Sequence, residues 1–125
     1  MSVVNQKTID LYVKAIDLAK EQKNVSEQSK ILLNQFKMIL LGGSIEDANK
    51  EFAAIGKIKK STLHRIRELV GSVFEDKVLH SEADRETQDR MLKEGNMRAD
   101  MAEDIIRNNL IAQGLLICER SNGKS

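Results

Sequence analysis

The sequence predicts an all-α protein, a single-domain bundle of five or six helices. Its 125 residues suit one domain with one core, and they include no proline, so nothing in the chain forces a helix to break. Apolar residues recur at helical spacing, and the seven glycines are expected to mark most of the turns between helices. We therefore expect no convincing sheet. Aromatic residues make up only 3% of the chain, so the core should consist mainly of Leu, Ile, Val, Ala and Met.

The first two helices follow directly from this spacing. The first is expected from about Asn5 to Gln22, and its apolar stripe consists of Ile9, Tyr12, Val13 and Ile16. The second is expected from about Ser26 to Leu41, and it should stop at Gly42-Gly43. Its apolar residues point in nearly all directions, which is typical of a helix at the centre of a bundle.

Capping residues predict the starts of the third and fourth helices. Ser44 can accept a hydrogen bond from the Asp47 N–H, so the third helix should begin there and end near Gly56. We expect Ser61 to cap a fourth helix that runs to about His80. Its inward residues should be Leu63, Ile66, Leu69, Val70, Val73 and Phe74.

The rest of the chain predicts two more helices. A polar helix should run from about Glu82 to Glu94 and end at Gly95-Asn96, because glycine commonly terminates helices. The last helix should run from about Met97 to Ala112. The domain is expected to span residues 1–125, with frayed ends near 1–4 and 121–125.

The segment Phe52–Leu69 carries the strongest functional signal. Five positive charges and no negative one lie between Lys57 and Arg67, in a connection between two predicted helices. Phe52-Ala53, a bulky residue followed by a small one, would let those helices approach closely. Ile58 supplies an apolar residue in the turn, and the second helix opens with Ser-Thr-Leu-His-Arg. On these residues the segment resembles the helix–turn–helix of bacterial transcriptional regulators.

The resemblance implies double-stranded DNA as a partner. The lysines of the turn would contact phosphates, and the first turns of the second helix would enter the major groove, where Arg65 could reach a guanine edge. The residues expected to bind DNA are Lys57, Lys59, Lys60, Ser61, Thr62, His64, Arg65 and Arg67.

One feature departs from the helix–turn–helix pattern. The usual turn glycine falls at Lys57, and Gly56 lies one residue early. Either the turn is shifted, or the segment is an ordinary helix–loop–helix with a basic connection. The alternative function is therefore a helical protein–protein interaction module, such as an adaptor, a secretion chaperone or an assembly subunit.

Composition limits the other possibilities. The net charge is only +1, so the whole chain does not attract nucleic acid or anionic lipid strongly. Few aromatic residues are available to stack on single-stranded bases. Cys118 is the single cysteine and no signal peptide is visible, which favours a cytoplasmic protein. The apolar runs are too short to span a membrane.

No enzyme signature emerges from the sequence, and we expect neither a cofactor nor a catalytic site. Asp76, His80 and Asp84 lie at i, i+4 and i+8, so one helix face could present three metal ligands. A solvated helix end with charge pairs explains the same spacing, and we therefore predict no metal site.

The C-terminal helix predicts self-association. From Met97 onward, apolar residues cover more than one helix face, whereas packing on a single core needs only one stripe. We expect a homodimer in which this helix packs against its own copy. The residues expected at the interface are Ile106, Leu110 and Ile111.

Overall fold

The computed structural model describes residues 3–43 and 46–117, which form one helical bundle. The described residues include five helices and two short strands. They are α1 (Val3–Lys20), α2 (Glu27–Leu40), α3 (Glu46–Ile55), β1 (Ile58–Lys59), α4 (Lys60–Leu79), α5 (Arg85–Ala112) and β2 (Leu116–Ile117). The predicted all-α class is confirmed.

Helix α4 packs against both α1 and α5. The inward stripe predicted for it is largely correct, because Leu63, Ile66, Val70 and Phe74 are buried. The Phe74 ring lies 4.5 Å from the Tyr12 ring of α1, centroid to centroid. Helix α2 covers α1 and α5, and α3 packs on α2.

The ends of α2 agree with the signals in the sequence. The Ser26 side chain caps the helix by accepting a hydrogen bond from the Ser29 N–H at 3.1 Å. At the other end, Gly42 adopts a φ of 82°, and the Gly43 N–H donates to the Met38 carbonyl at 2.7 Å. A residue with a side chain would be strained at this φ, which explains why a glycine ends the helix.

The predicted cap of α4 is wrong. The helix begins at Lys60, so Ser61 lies within its first turn, and Lys59 occupies the N-cap position. The reason is that β1 holds Ile58 and Lys59 in extended conformation, and the helix starts directly after them. Ser44, the predicted cap of α3, lies outside the described residues.

The two helices predicted after His80 are in fact one. Helix α5 runs without a break from Arg85 to Ala112, and Gly95 is buried in its interior. A Cβ at Gly95 would lie 2.3 Å from Cε2 of Phe74, so this glycine is needed for the close approach of α4 and α5. Glycine here is a packing residue, which the sequence pattern did not distinguish from a helix end.

The sequence predicts no convincing sheet, and the described residues contain only a minimal one. After α5, Gly114 adopts a φ of 71° and turns the chain back toward the start of α4. Leu116 and Ile117 then pair in parallel with Ile58 and Lys59. Residues 118–125, including Cys118 and the expected frayed end, lie outside the described residues, whereas α1 already begins at Val3. None of the described helices is both long and apolar enough to cross a membrane.

Candidate nucleic-acid interface

The connection between α3 and α4 turns at Gly56. Gly56 has a φ of 96°, and its N–H donates to the Phe52 carbonyl at 2.9 Å, which closes the last turn of α3. The chain can therefore reverse one residue earlier than the usual helix–turn–helix spacing requires. Phe52 and Ile58 are fully buried on either side of the turn, whereas Ala53 is exposed.

Contacts from two distant segments hold this turn in place. The Lys57 carbonyl accepts a hydrogen bond from Gln28 Nε2 of α2 at 2.8 Å. The Ile58 N–H donates to the Leu115 carbonyl at 2.8 Å, next to the pairing of β1 with β2. The backbone of the turn is thus fixed by α2 on one side and by the C-terminal strand on the other. Its lysine side chains remain exposed.

We use the name basic end for Lys57, Lys59, Lys60 and Arg65, which surround the start of α4. Together with Ser61 and Thr62, three of these four residues line an open depression, and Gln28 and Ile117 complete its wall. Lys60 is exposed in the first turn of the same helix. The structure therefore brings together six of the eight residues predicted to contact DNA.

The electrostatics of this helix start favour an anion. Lys59 at the N-cap makes no side-chain capping hydrogen bond, and the first turn of α4 contains no acidic residue. The partial positive charge of the helix N-terminus is therefore reinforced by lysines rather than neutralised by a carboxylate. Helix starts usually carry Ser, Thr, Asp or Asn at the cap, so lysine at this position is locally unfavourable.

The remaining two predicted residues face α5 instead. His64 lies between two carboxylates, with Nδ1 3.1 Å from Glu103 Oε2 and Nε2 3.3 Å from Glu68 Oε2. The hydrogen bond to Glu103 and the charge of that carboxylate raise the pKa of His64 above its ordinary value. Both ring nitrogens thus have partners within the chain, so His64 could bind DNA, as predicted, only if one of these contacts were broken.

Arg67 is similarly engaged. Its side chain is only 12% exposed, Nε donates to Asp100 Oδ1 at 2.9 Å, and a terminal nitrogen donates to the Asn96 carbonyl at 3.3 Å. The guanidinium therefore bridges α4 and α5 and is withdrawn from the basic end. The acidic partners of His64 and Arg67 form a negative border along this side of α4.

Sequence reasoning missed two residues of this surface, Gln28 and Ile117. Both are far from the basic turn along the chain, and no local motif connects them with it. Only the packing of α2 and the return of the chain after Gly114 bring them to the depression.

Negative charge collects toward the other end of α4. Glu75 and Asp76 line a second open depression with the exposed side chains of Leu18 and Leu79. Since α4 has 20 residues, its two ends lie about 30 Å apart. The outward face of this helix is therefore positive at its start and negative at its end.

The dimer residues require a correction. Ile106 and Leu110 are fully buried in the core of the chain itself, so they are not available to a second copy, whereas Ile111 is 54% exposed. The apolar residues that do reach the surface of α5 form a different set. They are Met97, Met101 and Ile105, which are 57%, 57% and 46% exposed, together with Ile111.

The three residues considered as metal ligands are used elsewhere. The Asp84 carboxylate caps α5 by accepting from the Thr87 N–H at 2.8 Å, and His80 Nδ1 donates to the Asp76 carbonyl at 2.8 Å. Within residues 3–43 and 46–117, no group of three acidic, histidine or cysteine side chains is arranged to hold a metal ion.

A scan against protein-family models, a search of curated proteins and a search of solved structures each found no match to this chain.

Proposed function

We propose that this chain is a small DNA-binding regulator that acts in the cytoplasm as a homodimer and contacts duplex DNA through the basic end. The observation that carries the proposal is the start of α4, where a lysine replaces the usual cap and no acid is present. Such a helix start is electrostatically suited to a phosphate group, because the backbone N–H groups of the first turn and the exposed lysines lie at the same end of the helix.

The distribution of aromatic residues supports double-stranded rather than single-stranded nucleic acid. All four aromatic side chains of the sequence, Tyr12, Phe36, Phe52 and Phe74, are buried in the core. None of them can stack on an unpaired base, which is how single-stranded nucleic acid is commonly bound. Duplex DNA needs no such platform, because its phosphates are recognised by lysines and helix starts.

The acidic border of the basic end limits how α4 could approach DNA. Glu68 and Glu103 lie beside His64, directly after the first turn and a half of the helix. These carboxylates would repel phosphates, so contact should be confined to the turn and to the first residues of α4. Arg65 is exposed at this point and is the residue best suited to reach a base edge.

The test is a mobility-shift titration of random duplex DNA at several salt concentrations. Replacing Lys57, Lys59 and Lys60 by Ala should weaken binding to all sequences. It should also lower the slope of log affinity against log salt by about 2–3, since each phosphate contact contributes about 0.9. On a preferred sequence, Arg65→Ala should cost about 1–3 kcal/mol and much less on random DNA.

The matched control removes the same charge elsewhere. Lys7, Lys14 and Lys93 are exposed, and the first two line a depression next to Ser81 and Ala83, toward the other end of α4. Their triple replacement by Ala should leave the salt dependence nearly unchanged. Equal losses in both triple variants would mean that binding follows net charge alone, which contradicts a defined site.

A helical interaction module without a nucleic-acid role remains the second candidate, because four large apolar residues of α5 are exposed. Failure of the unmodified protein to shift DNA even at low salt would reject the first proposal and favour this one.

A further inference from the structure

The exposed apolar residues of α5 lie on one face of the helix. At 100° per residue, Met97, Met101, Ile105 and Ile111 fall within an arc of about 120°, on the side opposite the buried Ile106. We call these four residues the α5 stripe. Asp104 and Asn108 lie within the same arc, so the stripe also includes two polar residues near its middle.

We propose that a second copy of this chain docks antiparallel on the α5 stripe and thereby carries two basic ends on one side of the dimer. The part that concerns DNA rests on the function proposed above. The dimer itself rests on the stripe.

The stripe matches itself when two copies run in opposite directions. With a two-fold axis near residues 103 and 104, Met97 lies opposite the second copy's Ile111, and Met101 lies opposite its Ile105. The charge nearest the axis is also balanced, because Asp104 accepts a hydrogen bond from the Arg107 guanidinium at 2.6 Å within each chain. Pairing therefore brings together two neutral ion pairs rather than two bare carboxylates. This self-complementarity favours a second copy over an unrelated protein.

The position of α4 determines where the basic ends point. The Arg67–Asp100 and His64–Glu103 contacts place α4 along one flank of α5, beside the stripe. The two-fold axis is perpendicular to the plane that contains the two antiparallel helices. Rotation about it exchanges the helices but leaves a neighbouring helix on the same side of that plane. Both copies of α4, and hence both basic ends, therefore lie on the same side of the dimer.

The register of α4 against α5 determines how far apart the two basic ends are. Arg67 lies beside Asp100 and His64 lies beside Glu103, so the antiparallel α4 begins level with about residue 107, three to four residues from the axis. At 1.5 Å per residue the two helix starts are about 10 Å apart along the helix pair, and the remaining separation is the sideways distance between helices, whose axes lie about 8–10 Å from their neighbours. We therefore expect the two basic ends to be on the order of 20–30 Å apart. They would thus contact one duplex within a single helical turn, which spans about 34–36 Å.

Dimerisation is measured first, without DNA. Sedimentation equilibrium at micromolar concentration should give about twice the 14.1 kDa of one chain. Met101→Lys should give a monomer with unchanged helical circular dichroism, because the side chain is 57% exposed and its replacement leaves the core intact. Leu79→Lys is the matched control, since Leu79 is 51% exposed on α4 and should leave the dimer unaffected.

Cross-linking then tests the direction of pairing. In a background with Cys118→Ser, the single variants Met97→Cys and Ile111→Cys should each resist a short bifunctional maleimide, whereas a mixture of the two should cross-link. Cross-linking of Met97→Cys with itself would indicate parallel pairing and overturn the proposal. A monomeric wild-type protein, or a dimer that Met101→Lys leaves unchanged, would overturn it as well.

Binding to DNA separates this inference from the proposed function. On a duplex long enough for two sites, the monomeric Met101→Lys variant should show about half the salt dependence of the wild-type dimer, because half as many phosphates are contacted. An antiparallel dimer that binds no DNA would reject the proposed function and leave the interface standing. A monomer that binds DNA through the basic end would reject the interface and leave only the DNA-binding part of the proposed function standing.

Discussion

The contact between Gly95 and Phe74 provides a sharp test of the packing described above. A Cβ added at Gly95 would lie 2.3 Å, 2.4 Å and 3.3 Å from three atoms of the Phe74 ring. The ring has little freedom to move, since it is fully buried and packed against the Tyr12 ring. Gly95→Ala must therefore push α4 and α5 apart, although alanine is otherwise the better helix former.

The expected magnitude follows from two opposing effects. Overpacking a core costs about 1–3 kcal/mol, and we take the upper end because the clash involves several atoms of a rigid ring. Alanine recovers about 1 kcal/mol of helix propensity relative to glycine. The net loss should be about 2 kcal/mol in the free energy of unfolding. For a domain of this size, the melting temperature should fall by about 8 °C.

Gly71→Ala is the control, since it makes the same substitution on the neighbouring helix. Its Cβ would lie 2.6 Å from a terminal nitrogen of Arg67, at the end of a flexible side chain, and the next nearest atom is at 3.9 Å. Moving that guanidinium weakens its ion pair with the mostly exposed Asp100 and its long hydrogen bond to the Asn96 carbonyl, which together are worth about 1 kcal/mol. The gain in helix propensity offsets this loss, so stability should change little.

Urea and thermal denaturation followed by circular dichroism measure both variants. If Gly95→Ala proves as stable as wild type, or no less stable than Gly71→Ala, then the two helices do not approach as closely as described, and the explanation for the uninterrupted α5 is lost.

Two further predictions concern Tyr12 and His64. The Tyr12 hydroxyl is buried without a hydrogen-bond partner among the described residues, and burial raises its pKa to about 12. Because an unpaired buried hydroxyl destabilises the folded state, Tyr12→Phe should increase the free energy of unfolding by about 1 kcal/mol. A loss of similar size in urea denaturation would instead indicate a hydrogen bond. The hydrogen bond to Glu103, and the charge of that residue, raise the pKa of His64, so the folded state holds this proton more tightly than the unfolded chain does. The resulting stabilisation is complete below about pH 6.5 and is lost as the pH rises through the raised pKa. The stability advantage of wild type over His64→Gln should therefore shrink as the pH rises above about 6.5, and an advantage that is constant or grows with rising pH would contradict the assignment.

The sequence predicted the parts of this structure that depend on local signals. Ser26 and Gly42-Gly43 delimit α2 as expected, because capping is decided by a few neighbouring residues. The inward stripe of α4 was also correct, since periodicity alone determines which residues share a face. Fold class follows from such signals when they agree along the whole chain.

Features that depend on distant partners were not predictable. A glycine such as Gly95 is typical of a helix end. Its actual role, which is to make room for the ring of Phe74, depends on a residue of another helix. Ile106 and Leu110 were assigned to an outer surface because the sequence does not reveal which of two apolar faces meets the core. The sequence predicts that the side chains of His64 and Arg67 are available to DNA, because their acidic partners on α5 are more than 30 residues away along the chain.

The way the chain closes around the basic end has a consequence for dissecting it into smaller pieces. The lysines lie close together in sequence, between residues 57 and 60, but the backbone that holds them is fixed by contacts with Gln28 from α2 and with Leu115 to Ile117 beyond α5. A peptide that contains only residues 52–69, or the same segment grafted onto another helical protein, would lack both sets of contacts. Any unit that preserves this surface must therefore include at least α2 to β2, together with α1, on which α4 packs, so the basic end is a property of the assembled bundle rather than a transferable module.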